Sequence, residues 1–114
     1  SAMGRTFALV IGVSRYPNLR AADQLRFADR DAASFAAHLR SPRGGALAAE
    51  QVKLLTNERA TTAAIRTAIA TFLRTAAGPN DTVILFLAAH GVVDDRGAYV
   101  LGYDSDPEDL ATTA

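Results

Sequence analysis

The stretch Asp81-Thr82-Val83-Ile84-Leu85-Phe86-Leu87-Ala88-Ala89-His90-Gly91 constrains the fold more than any other part of the chain. Its apolar run is short, rich in β-formers and bounded by turn residues, with Gly78-Pro79-Asn80-Asp81 before it and Gly91 after it, so it reads as a buried strand. A strand without polar alternation is usually covered on both faces, as in parallel α/β sheets. In open sheets of that class ligands bind beyond the carboxyl ends of the strands, which is where His90 falls. Imidazole exchanges a proton near neutral pH, and a glycine beside it lets a substrate approach the backbone N–H. Taken alone, a strand-end histidine is more often a hydrogen-bonded packing residue, so its role depends on what surrounds it.

Phe7 to Val13 is a second continuous apolar run, followed by the turn chemistry of Ser14-Arg15-Tyr16-Pro17-Asn18, and it reads as the first, central strand. From about Asp23 to Arg40 the residues Leu25, Ala28, Ala32, Phe35 and Leu39 recur at helical spacing, and Ser41-Pro42 with Gly44-Gly45 stop the pattern. Gln51 to Leu55 is a short strand. Thr61 or Thr62 then caps a helix whose Ile65, Ile69, Phe72 and Leu73 face the sheet and which Gly78-Pro79 ends. This alternation of strands and helices predicts right-handed crossovers and a parallel sheet, hence an α/β fold. After His90 a turn at Asp94-Asp95-Arg96-Gly97 leads into a brief run, Ala98 to Leu101, which adds a short fourth strand to a thin sheet.

At 114 residues the chain is one domain or part of one, and its 12 basic and 12 acidic side chains are mixed along it. That balance provides no field for a polyanion or an acidic membrane surface, so neither nucleic acid nor membrane is expected as a partner. No apolar run approaches the ~20 residues of a bilayer span and no signal-peptide pattern opens the chain, which gives the expectation of a soluble, cytoplasmic protein. Ser1-Ala2-Met3 reads as an expression-vector scar, and the end at Leu110-Ala111-Thr112-Thr113-Ala114 as an interruption rather than a domain boundary. Abundant alanine and arginine against a single lysine, Lys53, suggest a GC-rich bacterial genome. The absence of cysteine excludes disulfides, thiolate metal sites and a thiol nucleophile within these residues.

Asp31 lies about 70° from the centre of the Leu25/Ala28/Ala32/Phe35/Leu39 stripe and stacks with Phe27 and Phe35, which predicts a partly buried carboxylate. Such a group usually has a partner, either an internal hydrogen-bonding or ionic one or a ligand. Asp29 competes for the same role from farther off the stripe. His38, on the helix flank, reads as a solvated surface residue. Asp104, Asp106, Glu108 and Asp109 superficially suggest a calcium loop, but the glycine of the sharp turn is missing and Pro107 intervenes, which favours a solvated loop. Gly44-Gly45 lacks the lysine and helix context of a phosphate loop.

Several segments in order carry a resemblance: Ile11-Gly12-Val13-Ser14-Arg15-Tyr16 at the end of the first strand, Leu25-Arg26-Phe27-Ala28-Asp29-Arg30-Asp31-Ala32 in the first helix, Leu54-Leu55-Thr56-Asn57-Glu58-Arg59-Ala60-Thr61 before the second, and His90-Gly91 after Val83 to Ala89. Together they resemble the caspase-like cysteine peptidases, and among them the metacaspase and bacterial caspase-homologue branch. The resemblance implies a caspase-like three-layer sandwich with a mostly parallel central sheet, of which residues 4–114 form the incomplete, amino-terminal part. It implies an endopeptidase acting on polypeptide, in which His90 works with a cysteine, Gly91 offers its N–H to the oxyanion, and Asp31 receives a substrate arginine or lysine. The family spacing places that cysteine ~50 residues after the histidine, near about position 140. The fragment alone should then be inactive, and the carboxyl-terminal remainder of its own domain becomes a partner. Ala88 and Ala28 stand where the family pattern often has a serine and a small polar residue. The resemblance implies no resident cofactor, although some metacaspases need calcium. Two rivals differ in class: an inert caspase-like interaction module, which needs a non-cysteine at the downstream position, and a doubly wound phosphoacceptor or nucleotide-binding domain, which needs an acidic cluster or glycine-rich loop where Ser14-Arg15-Tyr16-Pro17 stands.

Overall fold

The computed structural model describes residues 4–75 and 78–114 apart from the side chain of Leu73, so Ser1-Ala2-Met3 and the inward orientation expected of Leu73 lie outside the described residues. The sheet is built from β1 (Thr6–Gly12), β2 (Val52–Thr56) and β3 (Thr82–Ala88) in the spatial order β2-β1-β3, all parallel. Two helices connect them, α1 (Ala28–Arg40) and α2 (Thr62–Thr75), and cover opposite faces, which makes the layered α/β arrangement expected from the order of apolar patterns. Parallel strands require such crossovers because a tight turn cannot return the chain to the same end of the sheet.

Alternation along β1 divides the core. Ala8 and Val10 pack under α1 with Ala32, Ala36, Leu39 and Val52, whereas Phe7, Leu9 and Ile11 pack with Ala68 and Phe72 of α2 and with Leu55. Phe35 of α1 adds a stacked ring contact on Phe86, at 4.7 Å between centroids. Gly12 lets the start of α1 sit directly on the strand, since a Cβ there would meet the Ala28 carbonyl oxygen at 2.2 Å.

Four expectations are corrected. Helix α1 starts at Ala28, not near Asp23, because residues 21–23 form a 3₁₀ turn and Leu25 is tied back to the end of β1 by its N–H on the Ser14 carbonyl at 2.8 Å. Strand β3 is not covered on both faces. Its register puts Val83, Leu85 and Leu87 on the same side as Phe7, Leu9 and Ile11, but α2 lies over β1, and those three side chains are 41%, 55% and 42% exposed. Ile69, on the flank of α2, is likewise exposed rather than turned inward. The run after the Asp94–Gly97 turn does not extend the main sheet: β4 (Gly91–Asp94) and β5 (Gly97–Val100) form a separate antiparallel hairpin. Its turn is closed by the Asp94 carboxylate, which accepts the N–H groups of Arg96 and Gly97 at 2.8 and 3.1 Å.

Of the two threonines considered as the cap of α2, Thr61 accepts the Ala64 N–H, while the N–H of Thr62 goes to Asp104 at 2.9 Å. The segment after β5 is thereby fastened to α2 before it ends in a short helix, α3 (Leu110–Thr113). Among the described residues, no helix is long and apolar enough to cross a membrane.

Candidate active site

His90 follows the carboxyl end of β3, half-buried, at the point where the chain leaves the sheet and enters β4. Three contacts hold it. Its backbone N–H donates to the Tyr16 hydroxyl at 2.9 Å, its carbonyl accepts the Leu101 N–H at 2.9 Å, and its ring lies 5.3 Å from the Tyr16 ring between centroids. The fourth contact is chemical in consequence. Nε2 is 2.5 Å from the carbonyl oxygen of Asp23, and a carbonyl has only lone pairs to offer, so Nε2 carries a proton and donates it. The neutral ring therefore keeps Nδ1 as its lone pair, available to a group with an acidic proton.

Gly91 is exposed, and its N–H is turned away from the hairpin ladder. His90 and Leu101 form a hydrogen-bonded pair, so the next pair inward, Gly91 with Val100, is of the non-hydrogen-bonded kind, in which both N–H groups point outward. A donor pointing out of the ladder beside His90 suits a developing negative charge.

A polar network lies at the carboxyl ends of β1 and β2, on the same edge of the sheet as His90. Asn57, buried and in the left-handed conformation (φ 46°), accepts the N–H groups of Ser14 and Arg15 at 3.0 and 3.2 Å and donates to Asp29 at 3.1 Å. Asparagine tolerates that backbone better than most residues and supplies an acceptor and a donor at once. The buried Ser14 hydroxyl donates to Asp29 Oδ1 at 2.8 Å and accepts the Asp29 N–H at 3.0 Å, so it satisfies one of the orphan donors at the start of α1 from outside the helix. The Ser14 hydroxyl, the Asn57 amide and the Arg30 N–H hold the Asp29 carboxyl below its ordinary range against a smaller opposing cost of burial. Tyr16 moves the other way: burial raises its phenol, and the N–H it receives from His90 only partly offsets this.

Asp31, by contrast, is exposed, which corrects the expectation of partial burial. The buried stripe of α1 is Ala28, Ala32, Ala36 and Leu39, without Leu25 and with Phe35 at its margin. At ~100° per residue its centre falls about 65° from Asp29 and about 95° from Asp31, so the inward-leaning carboxylate is Asp29. No hydrogen bond or ion pair engages the Asp31 carboxylate among the described residues. His38 is exposed. The acidic segment has hydrogen-bonding work of its own: Asp104 accepts the Thr62 N–H at the start of α2, Asp106 the Glu108 N–H, and Asp109 the Thr112 hydroxyl. Among the described residues no three His, Asp or Glu side chains converge as a metal-ligand set.

The sequence placed His90 and Gly91 after the last apolar strand, where the structure has them, but gave no role to Tyr16, read as a turn residue, to Asp23 and Gln24, read as the start of α1, or to Asn57, read as part of the segment before α2. The signal for Asn57 was its type, an asparagine directly after a strand; for the others the contacts span loops and leave no periodic trace.

A family model described as the caspase domain, a peptidase family, matches residues 5–112. No curated protein matches the chain.

Proposed function

The chain belongs to the caspase-domain peptidase family, and from that premise we propose that it carries the histidine half of a metacaspase-type cysteine endopeptidase in which His90 and a thiol outside these 114 residues form the catalytic dyad. The observation that carries the reading is the 2.5 Å contact of His90 Nε2 with the Asp23 carbonyl, because it leaves Nδ1 as the base. Nδ1 takes the thiol proton, the thiolate attacks the peptide carbonyl, and the imidazolium returns the proton to the departing amine. Gly91 N–H stabilises the oxyanion of the tetrahedral intermediate. The substrate is polypeptide, and the dyad chemistry calls for no cofactor.

The thiol has a place to arrive. The outer edge of β3 carries no paired strand among the described residues, and Val83, Leu85 and Leu87 stand uncovered beside it. A further parallel strand on that edge would finish level with Ala88 and present its last residue next to His90.

Specificity for arginine or lysine before the scissile bond is assigned to Asp31. Asp29 is committed to Ser14 and Asn57, whereas the exposed Asp31 is the carboxylate of the first turn of α1 without such commitments. A bacterial, cytoplasmic origin completes the reading, supported by the composition alone.

The test is hydrolysis of peptides with arginine, lysine or aspartate before the cleaved bond, by the product of the complete parent gene. His90→Ala should abolish turnover while the fold is retained. A parent gene with no cysteine on the strand after residue 114, or a His90→Ala variant with normal turnover, would leave the family membership intact and make the module a non-catalytic one.

A further inference from the structure

We propose that Gln24 is a positioning residue, whose side-chain amide fixes the Asp23 carbonyl and thereby selects the tautomer of His90. Its functional meaning rests on His90 being the acid–base group, but its test reads the imidazole ring itself. The segment from Ser14 to Leu25 leaves the end of β1 and returns to it, closed at its base by the Leu25 N–H on the Ser14 carbonyl at 2.8 Å. Inside that loop the Gln24 side chain makes four contacts. Oε1 accepts the Tyr16 N–H at 2.6 Å, and Nε2 donates to the carbonyls of Tyr16, Leu19 and Arg20 at 2.8, 3.2 and 3.2 Å. Two amide hydrogens serve three carbonyls, so one is shared between neighbouring acceptors.

Two consequences meet at His90. The Asp23 carbonyl belongs to the peptide unit that joins Asp23 to Gln24, so anchoring the Gln24 side chain fixes the plane of that unit and the direction of its oxygen. The same amide clamps both backbone groups of Tyr16, whose ring lies against the His90 ring and whose hydroxyl accepts the His90 N–H. The hydrogen-bond acceptor and the aromatic neighbour of the His90 ring are therefore both referred to one side chain. The Asp23 carboxylate offers no alternative anchor, since among the described residues it pairs only with Arg20, whose side chain is 84% exposed. Only a primary amide combines the acceptor and the donors that the loop needs; glutamate would turn a carboxylate toward carbonyl oxygens, and methionine would offer neither.

The experiment uses nitrogen-15 spectra of the histidine rings of the 114-residue protein, recorded at a pH high enough that no imidazolium signal remains. His90 is distinguished from the exposed His38 by His38→Gln. The unaltered protein should show a single His90 tautomer with the proton on Nε2. In Gln24→Met the folded protein should lose that selection and show both tautomers, whereas Val52→Ala, a core change on the opposite face of the sheet, should lower stability and leave the tautomer untouched. Retention of the single Nε2–H tautomer in folded Gln24→Met would overturn the proposal. Should Gln24→Met not fold, hydrogen exchange of the Gln24 side-chain amide in the unaltered protein decides: slowing by at least ~10-fold relative to free glutamine supports the tether, and exchange at the free rate overturns it.

Discussion

Substituting Gly12 by alanine tests how the sheet positions the site. The added Cβ would lie 2.2 Å from the Ala28 carbonyl oxygen and 2.6 Å from the Ala32 Cβ, where ordinary contact begins at 3.4 Å. Neither neighbour can rotate aside, since one is helix backbone and the other a Cβ. Helix α1 must therefore retreat by about 1 Å, and a gap of 0.5–1 Å already forfeits roughly a quarter to a half of each contact's dispersion energy. Ala32 and Ala36 are both fully buried on β1, so the loss runs along the interface. Overpacking of this kind costs ~1–3 kcal/mol. The start of α1 also carries Asp29, whose bonds to Ser14 and Asn57 would lengthen as the helix moves. We expect a loss at the upper end of that range, seen in urea unfolding followed by circular dichroism as a lower midpoint at unchanged slope, with a fall in Tm on the order of 10 °C. A change below ~0.5 kcal/mol would refute the reasoning, because it would mean that α1 does not rest on Gly12.

Gly91→Ala should behave in the opposite way. A Cβ there meets nothing closer than the Tyr99 carbonyl at 3.7 Å, so unfolding should shift by less than ~0.5 kcal/mol, yet the methyl group narrows the approach to the N–H and should lower kcat/KM of the parent on peptides. Acid unfolding should expose the Asp29 network. Its folded-state carboxyl is held below the ordinary value, so the stability it contributes is present above the unfolded carboxylate pKa of ~3.9 and is lost as pH falls through the folded value. Asn57→Ala should flatten that part of the stability curve, and an unchanged acid limb would count against the network. Asp31→Asn should reduce kcat/KM for arginine and lysine peptides at least about tenfold, equivalent to ~1.4 kcal/mol, once bound substrate excludes water from the pair; equal loss on uncharged peptides would exclude a role in recognition.

The regular part of the fold was legible because it is periodic. Continuous apolar runs marked β1 and β3, and the 3.6-residue spacing marked α1 and α2, so the layered parallel sheet followed from local pattern. What escaped was held by bonds between distant residues. Leu25 was read into α1 because it fits the stripe, yet its N–H is tied to Ser14; separately, counting Phe35 in the stripe in place of the fully buried Ala36 turned the inferred stripe toward Asp31 and away from Asp29. The apolar composition of β3 likewise implied two covers, but composition does not say which strand a helix lies over, and α2 covers β1. Strand β4 was missed because Gly91-Val92-Val93-Asp94 is too short to declare itself before its partner is known. His90 was placed correctly at the strand end; the Asp23 carbonyl that orders its ring is a backbone atom, and no side-chain pattern announces it.

The most direct test of the claim that His90 serves a thiol is the pH dependence of alkylation of the parent's nucleophile by a small reagent such as iodoacetamide, which reacts with thiolate and needs no substrate recognition. With His90 present, the thiol should react as thiolate well below the free-cysteine pKa of ~8.5, and His90→Ala should move the profile up toward that value. A profile that is the same with and without His90 would contradict the account, since the imidazole would then have no thiol to act upon.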